Sequence, residues 1–208
     1  MRRLALQLLA GIVLSWLQAG CAGTPARPDV RNYLEEGTGT SVTYMANPAA
    51  FVHGQPGLAS SGRDYVYLAP LAVSRGGERS CWLWLGIWST VDRQARDEGA
   101  SPLSLGPLQI VADNEPIDLE FKSADSRPAG LSRIPYDTPV PPTQEFMVEV
   151  TRTQLQRLGR ARTLTLVDRP AGGGARQWRG DDRAVGMLAN FAEDAGAPAV
   201  DSNPAPAR

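Results

Sequence analysis

The chain has 208 residues, 42% of them hydrophobic, enough for one globular domain with a sizeable core and short extensions; no second domain is required. Its 21 basic and 22 acidic side chains nearly cancel. The charge excess that draws proteins to nucleic acid is therefore missing, and no nucleic-acid partner is expected.

Met1-Arg2-Arg3 is a positive start, residues 4–17 form a mostly apolar run broken by Gln7 and Ser15, and Gln18-Ala19-Gly20 leads to Cys21. That order is the layout of a signal peptide over 1–20. The run is shorter than the ~20 apolar residues needed to cross ~30 Å of hydrocarbon, so it reads as a removable segment and not a span. Ala19-Gly20-Cys21 resembles the lipobox of bacterial lipoproteins; Gln18 stands where that family usually carries Leu, with Leu17 one position earlier. The resemblance implies that the Cys21 thiol receives a diacylglycerol, that the peptide is cut just before it, and that the new amino group is acylated. Several acyl chains, at ~0.8 kcal/mol per buried methylene, hold a domain on a bilayer where one chain is marginal. Ala22 and Gly23, not Asp, follow the cysteine, which by the same resemblance favours the outer membrane, facing the periplasm. Residues 21–31, with Pro25 and Pro28, then form the lipid attachment and a stiffened tether. The alternative is an ordinary secretory signal cut near Ala22 or Gly23.

A single β-rich domain is expected over 32–195. Residues 30–42 are polar and Gly-rich, with a turn at 37–40 ahead of a short strand over 41–45, which Asn47-Pro48 ends. Residues 65–73 alternate as a strand in which Pro70, lacking an N–H, demands an edge or a bulge. Ser74-Arg75-Gly76-Gly77-Glu78-Arg79 predicts a tight hairpin that pairs this strand antiparallel with residues 81–91. In the second strand Trp82, Trp84 and Trp88 share one face with Gly86, while Cys81, Leu83, Leu85 and Ile87 share the other. Leaving either row in water would forfeit roughly 1.5–3 kcal/mol per large residue, so this strand belongs in a sheet covered on both sides.

Strands over 103–111 and 117–121 follow, joined by a turn at 113–116. Residues 123–143 then hold Pro128, Pro135, Pro139, Pro141 and Pro142, which rules out helix or central strand and leaves a long loop, functional or disordered. Phe146, Val148 and Val150 form one face of a further strand, and Thr151 to Thr153 cap a helix that runs to about residue 162 with Leu155 and Leu158 on one side. A strand over 163–167 completes a unit that can cross to a neighbouring or non-adjacent strand. Asp181 or Asp182 caps a last helix with Val185, Leu188 and Phe191 in one stripe, and 196–208 reads as a disordered tail. The expected fold class is α+β: a β-rich, mostly antiparallel sheet or sandwich with two short helices in the C-terminal third.

Chemistry is sparse. His53 is the only histidine, so a metal site built on histidines is excluded and at most one Ser-His-Asp set is arithmetically open. Ala59-Ser60-Ser61-Gly62 lacks the first glycine of a nucleophile elbow, no serine precedes Lys122 by three, and Gly172-Gly173-Gly174 lacks a phosphate-loop context. No catalytic, cofactor-binding or metal-ligating residue is expected, and no cofactor. With Cys21 committed to lipid, Cys81 has no disulfide partner; opening an apolar strand, it reads as a buried, inert thiol. Tyr65, Tyr67, Trp82, Trp84 and Trp88 remain, either as core or as a ligand or partner surface whose rings stack on a sugar or peptide.

Arg63-Asp64-Tyr65-Val66-Tyr67-Leu68-Ala69-Pro70, followed by Leu83-Trp84-Leu85-Gly86-Ile87-Trp88-Ser89-Thr90, is similar to a family of uncharacterised proteobacterial lipoproteins over most of the mature chain. The resemblance implies an anchor and no activity or site beyond it. The expected function is a lipid-anchored envelope protein presenting a non-catalytic β-rich interaction domain to the periplasm. Its partners would be the membrane, through N-terminal acyl chains, and another envelope protein. The alternative is a module binding envelope glycan or peptide through the aromatic cluster; a hydrolase built on His53 with a serine and an aspartate is the third reading. An exposed apolar patch would favour the first, a sealed Trp face would remove the second, and a His53 remote from every acid and hydroxyl would remove the third.

Overall fold

The computed structural model describes residues 30–54, 63–90, 106–123, 128, 130–170, 174–180 and 182–196. The signal segment, Cys21, the tether up to residue 29 and the tail from 197 lie outside the described residues. The N-terminal strands are β1 (Val30–Glu35), β2 (Thr40–Met45), β3 (Ala49–Gly54), β4 (Arg63–Arg75) and β5 (Glu78–Ser89). There follow β6 (Leu108–Ala112), β7 (Glu115–Ile117), β8 (Lys122–Ser123) and β9 (Gln144–Val150), then α1 (Arg152–Arg160), β10 (Leu164–Asp168), β11 (Arg176–Gly180) and α2 (Asp182–Gly196). The fold is thus strand-rich with two short helices near the C-terminus, and the strands belong to one sheet whose ladders are antiparallel.

Gly76 and Gly77 take φ of +60° and +86°, the left-handed region that costs a residue with a Cβ, and reverse the chain between β4 and β5. The ladder runs from Arg75↔Glu78 to Asp64↔Ser89, the expected hairpin. On its other edge β4 serves two partners in succession. β2 pairs from Ser41↔Ser74 to Tyr44↔Leu71, and β3 from Ala49↔Leu68 to Gly54↔Arg63. Residues 45–48 therefore face only Ala69 and Pro70, and the partner strand buckles where Pro70 has no N–H to offer. The sheet forks here, β1 continuing from β2, and β11, β10, β6 and β7 continuing from β3.

The main path of the sheet is β7-β6-β10-β11-β3-β4-β5-β9-β8. Laid flat at ~4.8 Å per strand, its outermost members would stand about 38 Å apart. Only residues 118–121 join β7 to β8, and such a link reaches at most about 18 Å. The sheet must curl. Its concave face holds Phe51, Leu68, Leu85, Ile110, Leu166 and Trp178, closed by Leu155 and Leu158 of α1 and Met187, Leu188 and Phe191 of α2. Its convex face carries Val42, Tyr67, Leu71, Trp84 and Met147 under Leu131 and Tyr136 of the Pro-rich segment. β5 is covered on both sides, as its two apolar faces require.

α1 starts at a reciprocal cap, Gln154 N donating to Thr151 Oγ1 at 3.1 Å and Thr151 N to Gln154 Oε1 at 2.8 Å. The β9-α1-β10 unit crosses from one side of the sheet to a place between β6 and β11, the non-adjacent form of the crossover. Asp113 and Asn114 adopt φ of +50° and +68° in the β6-β7 turn. The Asp113 carboxylate accepts the Thr163 and Arg162 backbone N–H groups at 2.9 Å each, which holds its pKa below the ordinary value. The expected strand over 117–121 is divided instead: Ile117 ends β7, Lys122 begins β8, and 118–121 form no ladder. β1, β3 and β11 were not expected as strands.

A Cβ on Gly159 of α1 would stand 2.9 Å from Ala189 Cα and 3.0 Å from the Leu188 carbonyl oxygen of α2, whereas one on Gly186 would meet nothing within 4 Å. Gly159→Ala is expected to lower stability by about 1–3 kcal/mol through overpacking, and Gly186→Ala to raise it by about 0.5–1 kcal/mol through helix propensity. Urea unfolding of the two variants checks this; equal effects would mean that the helices do not cross at Gly159.

Candidate functional site

The register Tyr65↔Trp88, Tyr67↔Gly86, Ala69↔Trp84, Leu71↔Trp82 puts all five singled-out aromatics on the convex face, but in three different settings. Trp84 is fully buried and Tyr67 nearly so. Tyr136 stacks on Trp84 with centroids 4.8 Å apart, donates its hydroxyl to the Pro70 carbonyl at 2.7 Å, and receives the Tyr44 ring edge-on. Burial pushes the Tyr136 hydroxyl pKa well above its ordinary value. Trp84 Nε1–H donates to Glu145 Oε1 at 3.1 Å, and Gly86 leaves room for the indole, since a Cβ there would lie 2.7 Å from it. At one end Tyr65 and Trp88, both half-buried, stack at 4.7 Å. At the other, half-buried Trp82 donates Nε1–H to Ser80 Oγ.

The Pro-rich segment is held in place as a lid on this face. Ser132 Oγ donates to the Glu35 carboxylate at 2.7 Å, Thr38 Oγ1 donates to the Gly130 carbonyl at 3.0 Å, and Thr143 N donates to the Ile87 carbonyl at 2.7 Å. The Ser132 hydroxyl is the main cause holding the Glu35 carboxyl below the usual range.

His53 falls beside an acid and a hydroxyl, in the wrong order for a triad. It lies opposite Asp64, and Asp64 opposite Ser89, in one row across β3, β4 and β5. In a Ser-His-Asp triad the imidazole stands between hydroxyl and acid. Here Ser89 Oγ–H donates straight to Asp64 Oδ1 at 2.6 Å, and His53 Nδ1–H donates to the Gln177 carbonyl at 2.9 Å. Asp64 and Ser89 are both buried, so neither meets a substrate on this geometry. Trp178 continues the row, its ring 5.5 Å from that of His53. Its Nε1–H donates to buried Asp168, which also takes a two-point contact from Arg176 and the Gly106 N–H. This buried ion pair escaped sequence reasoning; its signal was the period-two set Leu164, Leu166, Asp168 facing Arg176 and Trp178. Cys81 is half-buried and free, and desolvation raises its pKa against the weaker pull of Arg79 and Arg152, which makes it a poor nucleophile.

Alongside clefts of similar size beside Leu108 and Phe146 and between Asp113 and Arg157, a groove of about 440 Å³ lies beside β9. One wall is Met147, Val148 and Glu149; the other is Asp118, Leu119 and Glu120; Trp82, Lys122 and Gln154 complete the lining. Among the described residues β8 pairs with β9 at Lys122↔Met147 and Ser123↔Phe146, and the groove opens where that pairing stops at Met147. Continuing that register would set Glu120 opposite Glu149, and like charges directly opposed are unfavourable. The 118–121 chain peels away instead, held by Gln154 Nε2 donating to the Asp118 carbonyl at 3.1 Å. Among the described residues, Leu34 of β1 is the large hydrophobic side chain left exposed, and one leucine is not a patch.

Comparison with family models, curated proteins and solved structures gave no match.

Two outcomes test the lid. Tyr136→Phe should cost about 0.5–1.5 kcal/mol for the lost hydrogen bond. Tyr136→Ala should cost about 3–5 kcal/mol and red-shift tryptophan emission as water reaches Trp84; unchanged emission would mean that Tyr136 is not its cover. Glu35 has a lowered folded pKa, so its contribution is complete above the unfolded value of about 4.3 and is lost as pH falls through the folded value. Urea midpoints of wild type and Glu35→Gln should differ most above about pH 5 and converge on acidification.

Proposed function

We propose that this chain is a lipid-anchored cell-envelope protein, attached through Cys21 to the outer membrane and presenting a non-catalytic β-rich interaction domain to the periplasm. The signal-peptide layout and Ala19-Gly20-Cys21 support the anchor, as does the resemblance to proteobacterial lipoproteins. The groove beside β9 is the observation that carries the interaction reading, because it combines an incompletely paired strand edge, a half-buried tryptophan and a charged rim. The polar row of His53, Asp64 and Ser89 supports a structural role in preference to hydrolysis, its acid and hydroxyl being spent on each other.

A second reading, a small glycan- or peptide-binding module, is favoured by the half-buried Tyr65–Trp88 stack. The sealing of Trp84 and Tyr67 removes the centre of that aromatic surface and leaves only its ends.

Fractionation of the native envelope with intact mass measurement of the N-terminal peptide tests the anchor. Wild type is expected in the outer-membrane fraction with an acylated N-terminal cysteine, and Cys21→Ser in a soluble or uncleaved form. A wild-type chain that is soluble and unacylated overturns the anchored reading.

A further inference from the structure

We propose that the groove beside β9 is a strand-addition site that takes an extended peptide segment bearing Lys or Arg. The proposal deepens the interaction-domain reading and rests on it, naming the surface and the chemistry of the partner. β9 ladders with β5 along its whole length, from Ile87↔Gln144 to Cys81↔Val150. Among the described residues, the pairing on its outer side is Lys122↔Met147 and Ser123↔Phe146. In an antiparallel pair, residues alternately turn both N–H and C=O toward and away from the neighbour, so within Val148–Val150 backbone groups face the groove.

An open edge in a folded protein is a template for another strand. The nearest candidate in the chain, 118–121, runs along the opposite wall without filling it, for the electrostatic reason given above. An inserted strand with a cationic side chain between Glu120 and Glu149 removes that conflict, and Asp118 adds a third carboxylate to the same rim. Lys122 is the one cation among the described residues of the lining. Half-buried Trp82 lines the slot from the convex side and offers apolar contact to a side chain of the incoming strand, with Met147 buried behind it. The volume is within the roughly 300–1,000 Å³ of ligand clefts.

The test uses the folded mature chain and a fluorescein-labelled, end-blocked peptide of alternating Val and Lys, read by anisotropy at near-physiological salt. Saturable binding is expected, weakened about tenfold or more by Glu149→Lys, by Glu120→Lys, and by N-methylation of alternate peptide bonds of the probe. Hydrogen exchange should show new protection at Val148–Val150. The idea is overturned by any of three results: no saturation up to about 1 mM, equal affinity of the N-methylated probe, or equal affinity of a Val-Glu probe. A wild-type dimer in sedimentation equilibrium that Glu149→Lys disperses would make a second copy the occupant and overturn it as well. Because the assay uses soluble chain, its failure leaves the acylation result standing, and failure of acylation leaves this one standing.

Discussion

Trp84 sits on a strand whose opposite face is equally apolar, and most of the architecture follows from having to keep both faces of β5 out of water. One face is handled conventionally, by two helices laid into the hollow of a curled sheet. The other is closed by a segment with no secondary structure. Ordering such a segment costs roughly 1–2 kcal/mol per residue in backbone entropy. Prolines lower that cost by restricting the unfolded chain, and Pro135, Pro139, Pro141 and Pro142 lie in the covering stretch. Burial of Leu131 and Tyr136, together with the ties to Glu35, Pro70 and Ile87, offsets the rest. The composition that rules out regular structure at 130–143 is also what makes an irregular cover feasible.

The parts legible in the sequence were those governed by local rules. Paired glycines between alternating apolar runs gave the hairpin, Pro70 marked the break in its neighbour, and Thr151 to Thr153 marked the start of α1. What stayed hidden depends on partners far away in the chain. β1, β3 and β11 are short and partly polar, and they are strands because an already specified neighbour offers them a ladder. The division at 118–121 depends on which glutamate would face which across two strands, a matter of register that periodicity does not carry. The three tryptophans of β5 were correctly placed on one face, while the addition of Tyr65 and Tyr67 to it needed the register, and its separation into a sealed centre and two half-buried ends needed the position of Tyr136.

Chemistry-bearing side chains are distributed in a telling way. The groups at 53, 64 and 89 line up across three strands, Asp168 and Arg176 pair on a rung two residues beyond Trp178, and most of their hydrogen-bonding capacity is turned inward, onto one another or onto backbone carbonyls. Such a row fixes strand registry at one end of the barrel-like curl. The groove beside β9 has the opposite character: its carboxylates face out, its Trp82 and Leu119 are half covered, and its strand edge is incompletely used among the described residues. Polar groups are thus spent on order inside the domain and left available at one strand edge.

The fork at Pro70 also decides how the domain would respond to mechanical load. In an anchored chain, tension on the tether enters at Val30, which pairs with Met45 at the open end of the β1-β2 hairpin, away from its turn. A pull across the sheet from that point would load the Val30↔Met45 rung first and reach Glu35 last, where Ser132 and Gly130 tie the Pro-rich cover to the same hairpin. Load on the arm would therefore be shared with the segment that seals Trp84, so the strand nearest the tether and the cover of the core are coupled through Glu35 and Thr38.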